Sequence, residues 1–379
     1  MTMRLFITIS ILIILLGSAG GYVYWAQQRP DVGIILTDLS SEISVNQGQP
    51  ADRGNLLGIQ PLLFASDYQS RETLHLKLAA YLEKARDEGL LNAKTIAILP
   101  EHIGTWLVAA GEKPEFYKSD SLQEAVKWLA ASHPLSVPQA LLSTPSNKDF
   151  SDALFRLKSA QMAADYQSLF SGLAKDFGIT LVAGSIVLPE PRNENGALQI
   201  GEGPLYNISV VYGADGKALG QPQRKVYPSS RERSIIAAAP LEQLHTFDTP
   251  AGNLAVLIGT DSWYPASYAA LAKLNTELLA VPGFVKGKMQ WNKPWKGYKH
   301  ATKPQTPTLA DNSVSEGEAW QHLAIPNHLQ DSGARAGAMV FMRGQLWRMG
   351  IDGRSVVSDG QKHAIANDSR SAQLVNLWL

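Results

Sequence analysis

The sequence predicts an α/β fold in which strands and helices alternate along the chain. Short apolar runs typical of buried strands occur at 95–99, 179–183, 254–258 and 278–281. Segments with helical spacing of apolar residues lie between them, most clearly at 70–88. The composition, 45% hydrophobic and 18% charged over 379 residues, is sufficient to bury a full core.

The composition also excludes several classes of function. The chain contains no Cys, which excludes disulfides, thiolate metal sites and a cysteine nucleophile. It has 34 Lys and Arg against 34 Asp and Glu, whereas a general nucleic-acid binder is usually basic. We therefore expect no nucleic-acid partner.

Residues 1–26 are predicted to form a membrane anchor. The run 5–25 is uncharged and spans about 31 Å as a helix, enough to cross the hydrocarbon core. Tyr22, Tyr24 and Trp25 would lie at the headgroups. The alternative is a signal peptide cleaved near 17–19, although the apolar run continues past those small residues.

Both interpretations carry the rest of the chain across the membrane. Arg4 precedes the apolar run, which favours a cytoplasmic N-terminus, although Arg29 just beyond it weakens that bias. We expect a single-pass protein with its body on the non-cytoplasmic side, which is the periplasm in a Gram-negative cell.

Residues 27–56 are polar and rich in turn-forming residues, and are predicted to be a linker with one short strand at 32–36. Residues 57–379 are predicted to form one domain. Its elements in order are a strand at 58–62, a helix at 70–88 with Ser70 as N-cap, a strand at 95–99, a helix at 168–176, a strand at 179–183, a hairpin of 206–212 with 217–219, a strand at 254–258, a helix at 266–274 and a strand at 278–281. Two segments look inserted: 113–161, mostly helical, and 284–318, loop-like.

Three segments carry candidate chemistry. Glu101 directly follows the strand at 95–99, where α/β folds place functional groups, although such a Glu is more often a solvated loop residue. Lys225 and Glu232 lie seven residues apart and could stabilise an oxyanion and shuttle a proton, or belong to a charged surface loop. A strand-to-helix elbow, a common nucleophile position, carries Gly259, which has no side chain.

Taken together, these segments resemble the nitrilase, or carbon–nitrogen hydrolase, superfamily over roughly residues 57–360. The resemblance rests on the order and spacing of several motifs, which are Gln60, Pro100 with Glu101, 173–179 leading into 182–185, Tyr206 with Asn207, Asp215 to Lys217, Lys225 with Pro228, Glu232 with Arg233, 259–265, and Gly353 after Trp347. It implies a four-layer α-β-β-α sandwich, a homodimer and no cofactor.

The resemblance also implies roles for individual residues. Glu101 matches the general base of the family, Lys225 the lysine that stabilises the tetrahedral intermediate, and Glu232 a second glutamate. The family cysteine lies two residues before an acidic residue and six before a proline. Counting back from Asp261 and from Pro265 leads to Gly259 in both cases. The nucleophile is therefore missing, because glycine cannot form a thioester.

Two functions follow as alternatives. The first is a membrane-tethered pseudoenzyme that binds a small amide or acyl ligand or acts as a scaffold. The second is an active amidase, nitrilase-type hydrolase or acyltransferase that uses Thr260, Ser262 or a water activated by Glu101. The candidate binding residues are Trp106, Thr260, Asp261 and Trp263, with packing as the alternative role of Trp106.

The stretch 284–303 is a candidate surface for a protein partner. It interleaves lysines with aromatic residues, namely Lys286, Lys288, Trp291, Lys293, Trp295, Lys296, Tyr298, Lys299 and Lys303. The alternative is a loop made soluble by its lysines. No His pair at i, i+4 with a supporting carboxylate occurs in the sequence, and we expect no metal site.

Overall fold

A computed structural model describes residues 3–29, 33–143, 150–298, 303–304 and 309–379. The described helices are α1 Met3–Gln27, α2 Arg71–Asp87, α3 Pro114–Lys118, α4 Leu122–Ser132, α5 Ser136–Ser143, α6 Phe150–Phe177, α7 Pro265–Leu271, α8 Glu316–Leu323 and α9 Ile325–His328. The described strands are β1 Ser41–Gln47, β2 Asn55–Gln60, β3 Leu62–Phe64, β4 Thr95–Ile98, β5 Thr180–Val182, β6 Ile186–Pro189, β7 Arg192–Glu194, β8 Ala197–Gln199, β9 Leu205–Tyr212, β10 Ala218–Arg224, β11 Thr246–Thr249, β12 Gly252–Val256, β13 Leu278–Gly283, β14 Val285–Lys286, β15 Ala336–Phe341, β16 Arg343–Leu346, β17 Met349–Asp352, β18 Val356–Ser358, β19 His363–Ile365 and β20 Ala372–Trp378.

Two large sheets form the centre of the fold. The first has the order β1-β20-β2-β4-β5-β9-β10, with β6 also paired to β9, and the second has the order β11-β12-β13-β15-β18-β19. Residues of both sheets, including Ile96 and Leu254, meet in one buried cluster, so the sheets are stacked face to face.

Helices cover the two outer faces. Ala97 and Leu99, at alternate positions to Ile96 and Ile98, pack in a cluster that includes residues of α2 and α6. A third cluster joins alternate residues of β12 and β13 to α7, α8 and α9. The result is an α-β-β-α arrangement, and burial on both sheet faces explains why the strands read as continuous apolar runs.

Most predicted elements agree with the structure. Helix α2 begins after Ser70, whose side chain accepts a hydrogen bond from the Thr73 backbone N–H as an N-cap should. Strands β9 and β10 form the predicted antiparallel hairpin. The helix predicted at 168–176 is the C-terminal end of the 28-residue helix α6, and the 113–161 segment is largely helical, as predicted.

The linker prediction for 27–56 needs correction. Strand β1 lies within that range and pairs in parallel with β20, from Ser41 beside Ala372 to Gln47 beside Leu377. Residues 33–36 form no strand, and residue 32 lies outside the described part of the chain. The reason is that a strand needs a neighbour with free backbone groups, and the edge of β20 supplies one to β1.

The aromatic residues of 284–303 also lie differently from the prediction. Trp291, Trp295 and Tyr298 are buried in the core beneath α8, whereas the side chains of Lys286 and Lys296 face solvent. Lys299 lies outside the described residues. These three aromatic rings therefore pack inside the protein, and a partner surface at 284–303 stays a prediction.

Helix α1 is long and apolar enough to cross a membrane, a property that a signal sequence shares. Thr37, which follows α1 by ten residues, is fixed to the body by a hydrogen bond to a buried ion pair. Lys77 donates to Asp67 at 2.9 Å with both side chains fully buried, and the Thr37 hydroxyl donates to the same carboxylate at 2.6 Å.

We expect Asp67→Asn to lower the free energy of unfolding by about 3–5 kcal/mol, because it leaves the Lys77 ammonium buried without a counter-charge. Urea denaturation of the full chain in detergent measures this loss. The matched control is Glu88→Gln, which breaks the exposed Lys84–Glu88 pair and should cost no more than about 0.5 kcal/mol. Equal losses in the two variants would contradict the prediction.

Candidate active site

Glu101 lies just beyond the carboxyl end of β4 and is buried, with 3% of the residue exposed. Its Oε1 accepts hydrogen bonds from the Lys225 Nζ at 2.7 Å and from the Asn207 Nδ2 at 3.0 Å. Asn207 lies in β9, and Lys225 directly follows β10. Strands of the first sheet thus bring Glu101 to within hydrogen-bond distance of two side chains that are more than a hundred positions away from it in sequence.

Lys225 bridges two carboxylates. Its Nζ also donates to Glu232 Oε1 at 2.8 Å, and the Ser229 backbone N–H donates to the other Glu232 oxygen at 2.7 Å. Burial alone would lower the pKa of Lys225, but the charges of Glu101 and Glu232 raise it above its usual value. Burial alone would raise the pKa of Glu232, but Lys225 lowers it to about 2. All three predicted charged residues are thus in one cluster, with Lys225 held as an ammonium.

Gly259 lies against this cluster. Its φ of +54° is in the left-handed region, which strains a residue with a side chain. A Cβ built on it would lie 2.9 Å from the Glu101 Cδ and closer still to Oε2. In this arrangement the Glu101 carboxylate occupies the space into which a side chain at position 259 would project.

The two hydroxyls beside Gly259 donate hydrogen bonds to backbone carbonyls and not to Glu101. The Thr260 hydroxyl donates to the Tyr227 carbonyl at 2.9 Å, and the Ser262 hydroxyl donates to the Gly259 carbonyl at 2.8 Å. Each therefore has its proton engaged with a backbone oxygen. Neither is positioned to be deprotonated by the carboxylate that would have to act as its base.

Asp261 has a structural role in this geometry. It is fully buried and accepts hydrogen bonds from the backbone N–H groups of Val226 and Tyr227, which follow Lys225. Burial raises its pKa to about 7. Asp261 thereby links the elbow to the segment that carries the lysine.

His102 belongs to the same cluster, although the sequence alone indicated only its position next to Glu101. Its Nε2 lies 3.8 Å from Glu101 and 3.9 Å from Glu232, and its Nδ1 lies 3.1 Å from the Thr105 hydroxyl. Burial lowers its pKa, against the two carboxylates, which raise it. His102 and these two glutamates could in principle surround a metal ion. They fit one poorly, because the Lys225 ammonium already lies within 3 Å of both carboxylates and supplies the cation.

A cavity of about 360 Å³ opens beside the elbow. Its lining combines aromatic rings, cations and one carboxyl, and includes Thr260, Trp263, Phe284, Trp295, Trp320, Arg231, Lys286, Lys296 and Glu316. The Phe284 ring contacts the His102 ring edge-on, with centroids 5.3 Å apart, which connects the cavity to the charged cluster. The volume suits a small ligand.

Two of the four predicted binding residues, Thr260 and Trp263, line this cavity. Asp261 is buried behind them, and Trp106 is not among the lining residues. The Trp106 ring packs against Trp347 at a centroid distance of 5.9 Å. Trp106 lies in the helical turn at 105–109, which directs its ring towards Trp347. Glu316 and Trp320 were missed by sequence reasoning, since nothing in an amphipathic segment such as 316–323 identifies a cavity wall.

Glu316 is an ionisable group of unusual character. One of its oxygens accepts a hydrogen bond from the Trp320 Nε1 at 3.3 Å. Burial raises its pKa to about 7. The cavity wall therefore contains a carboxyl whose pKa burial raises towards neutrality.

We expect Lys225→Met to lower the free energy of unfolding by about 3–5 kcal/mol at pH 7, because it leaves two neighbouring carboxylates with no cation. The loss should shrink at pH 5, where protonation relieves the repulsion, and adding Glu101→Gln should recover part of it. Urea denaturation in detergent measures all three. Lys217→Met, which breaks an exposed pair with Asp215, is the control and should change stability little. A Lys225→Met loss no larger than the control's would refute this account.

The free energy of unfolding should fall as the pH rises from about 5 to 8, in part through Glu316. Its pKa is raised in the folded chain and returns to its usual range on unfolding, so ionisation costs the folded state free energy. Tryptophan fluorescence should change over the same pH range, because the Trp320 indole donates to Glu316. Glu316→Gln should flatten the decrease in stability and abolish this fluorescence change. Glu318→Gln, on the exposed side of the same helix, should leave both unchanged. A fluorescence step that persists in Glu316→Gln would assign the titration to another group.

Known proteins with similar sequences point to one family. The sequence profile of the carbon-nitrogen hydrolase family matches residues 70–331. The omega-amidase NIT2-A of Xenopus laevis is 24% identical over 233 residues, which are 58% of this chain and 80% of that protein. The probable hydrolase YhcX of Bacillus subtilis is 28% identical over 118 residues, which are 31% of this chain but only 20% of that protein.

Solved structures share the fold. An amidase from Nesterenkonia sp. AN1, in a variant with acrylamide added to its active-site cysteine, has a TM-score of 0.52 and 14% identity, covering 86% of this chain and 93% of that one. A carbon-nitrogen hydrolase from Helicobacter pylori G27 has a TM-score of 0.53 and 17% identity, covering 85% and 88%. With the family profile matched across most of its length, this chain belongs to the carbon-nitrogen hydrolase family, and it carries Gly259 where the motif spacing places the catalytic cysteine.

Proposed function

We propose that this protein is a non-catalytic member of the family, tethered to a membrane by α1, that binds a small amide or acyl ligand in the cavity beside Gly259. The observation that carries this proposal is the position of Glu101, whose carboxylate fills the space of the missing side chain. Covalent capture of a carbonyl carbon needs a nucleophile at that place.

The surrounding groups support binding without turnover. The hydroxyls of Thr260 and Ser262 donate to backbone carbonyls, so neither is presented to a ligand together with a base. The positive charge of Lys225 is balanced by two carboxylates at hydrogen-bond distance. Because buried charges must be paired, the cluster would persist for structural reasons after the loss of a thiol.

The cavity suits a ligand with an apolar part and a polar or anionic end. Trp263, Trp295 and Trp320 provide flat apolar walls, while Arg231 and Lys286 provide hydrogen-bond donors and positive charge. In this proposal α1 spans the bilayer once and the body lies on the non-cytoplasmic side, as the position of Arg4 favours.

The competing function is hydrolysis or acyl transfer with a nucleophile other than cysteine. It is favoured by one observation, that Glu101, Lys225 and Glu232 still converge at one point. It would require Thr260 or Ser262 to rotate out of its present hydrogen bond, or Glu101 to activate a water.

We expect the purified full chain in detergent to show no turnover on a panel of amides, nitriles and esters, and no mass increase in intact-protein mass spectrometry. Thermal-shift measurements with small amides and acyl compounds should reveal binding instead, weakened by Trp263→Ala in the cavity wall. Turnover that is abolished by Glu101→Gln would overturn the proposal. Thr260→Val and Ser262→Ala would then identify which hydroxyl had replaced the thiol.

Gly259→Cys provides a further comparison. A cysteine at this position must displace the Glu101 carboxylate and adopt a left-handed backbone conformation. Amidase activity gained by this variant, over an inactive parent, would show that the remaining groups are still competent and that only the nucleophile is lost.

A further inference from the structure

The C-terminal end of α1 is fixed to the body of the protein. The Tyr22 hydroxyl donates to the Ala131 carbonyl at 2.7 Å, and the Lys113 Nζ donates to the Trp25 carbonyl at 2.7 Å. The Trp25 ring packs against Trp128 with centroids 6.4 Å apart. The C-terminal end of α1 is therefore docked on α4 and on Lys113, and these contacts set the orientation of the body relative to α1.

These contacts lie at the level of the headgroups if α1 spans a bilayer. The aromatic residues Tyr22 and Trp25 end the uncharged run, and such rings favour the membrane–water interface. They are separated by only about 4.5 Å along the helix axis. The end of α4 that contacts them, at Ala131, must then lie at the same depth.

The chain that follows α4 exposes three leucines within eight residues. Leu135, Leu141 and Leu142 are 69%, 43% and 88% exposed, whereas Val137 between them is buried. Leu135 also lines a groove of about 310 Å³ together with Val23 and Ala26 of α1. Single exposed leucines are ordinary, but three in one short segment, the first of which lies beside α1, form an apolar patch that water does not stabilise.

We propose that this patch, Leu135 with Leu141 and Leu142, is immersed in the interfacial region of the membrane leaflet from which α1 emerges. Helices α4 and α5 would then hold the body against the bilayer surface, with α5 acting as an interfacial element. The inference rests on the membrane tether of the proposed function. The occupant is lipid and not a second copy of the chain, because the segment that carries the leucines begins at Leu135, in the groove beside α1.

The absence of native cysteine makes a direct test available, since each introduced cysteine is the only labelling site. The full chain is reconstituted in phosphatidylcholine vesicles with an environment-sensitive fluorophore at Leu142→Cys. Leu12→Cys, within α1, reports the tether. Lys273→Cys, after α7 in the opposite helical layer, is the control exposed to water.

We expect spin-labelled lipids to quench the fluorophore at positions 12 and 142 at least threefold more than the fluorophore at position 273. Quenching at position 12 without quenching at position 142 overturns the inference and leaves the tether intact. A lack of quenching at position 12 overturns both. A blue-shifted fluorophore at position 142 that lipids do not quench assigns the patch to a protein neighbour and also overturns the inference.

A second variant tests the leucines themselves. With the fluorophore at Gln139→Cys, the combined changes Leu135→Gln, Leu141→Gln and Leu142→Gln should reduce lipid quenching severalfold, while a fluorophore at Leu12→Cys is unaffected. These leucines are exposed, so the changes remove little packing within the protein. Unchanged quenching at position 139 would show that the leucines do not hold the segment at the bilayer.

Discussion

The Lys225 ammonium, buried between two carboxylates, is the interaction on which the site depends. Its contacts at 2.7 and 2.8 Å fix Glu101 and Glu232 relative to each other and join the ends of β4 and β10. A buried charge without a partner costs several kcal/mol, so no member of this group can be lost alone without a penalty. The arrangement is therefore constrained by stability as well as by any chemistry it performs.

This constraint explains how the charged residues can be retained in a chain that has no nucleophile at position 259. A thiol at position 259 would contribute little to the pairing of the charges, whereas Glu101 and Lys225 each neutralise the other. Gly259 accommodates both the left-handed backbone and the nearby carboxylate. The cavity lies next to this charged cluster, and its wall includes Glu316, whose pKa burial raises to about 7.

The helical insertion gives the fold a second specialised region. Buried contacts of Glu112 with Lys158 and His133 hold this insertion to α6, and the neighbouring Ala131 accepts a hydrogen bond from Tyr22 of α1. The candidate site lies elsewhere, at the ends of the central strands. A ligand-binding cavity and a membrane contact would thus be carried by separate parts of one rigid sandwich, which allows the orientation of the cavity relative to the bilayer to be fixed.

The sequence by itself determined the α/β class, the helix capped by Ser70 and the β9–β10 hairpin, because periodicity and turn chemistry are local properties. The candidate site residues Glu101, Lys225, Glu232 and Gly259 were identified through the resemblance to a family, since the charged residues by themselves were also typical of surface loops. Tertiary structure alone decided that β1 completes the first sheet, that Trp295 is buried while Lys296 is exposed, and that His102 and Glu316 lie beside the cluster and in the cavity wall. Strand pairing, burial and proximity depend on contacts between segments that are distant in sequence, and local sequence patterns do not specify those contacts. Trp106 illustrates the difference: its position near Glu101 in sequence suggested a pocket, but the direction of its turn placed the ring against Trp347.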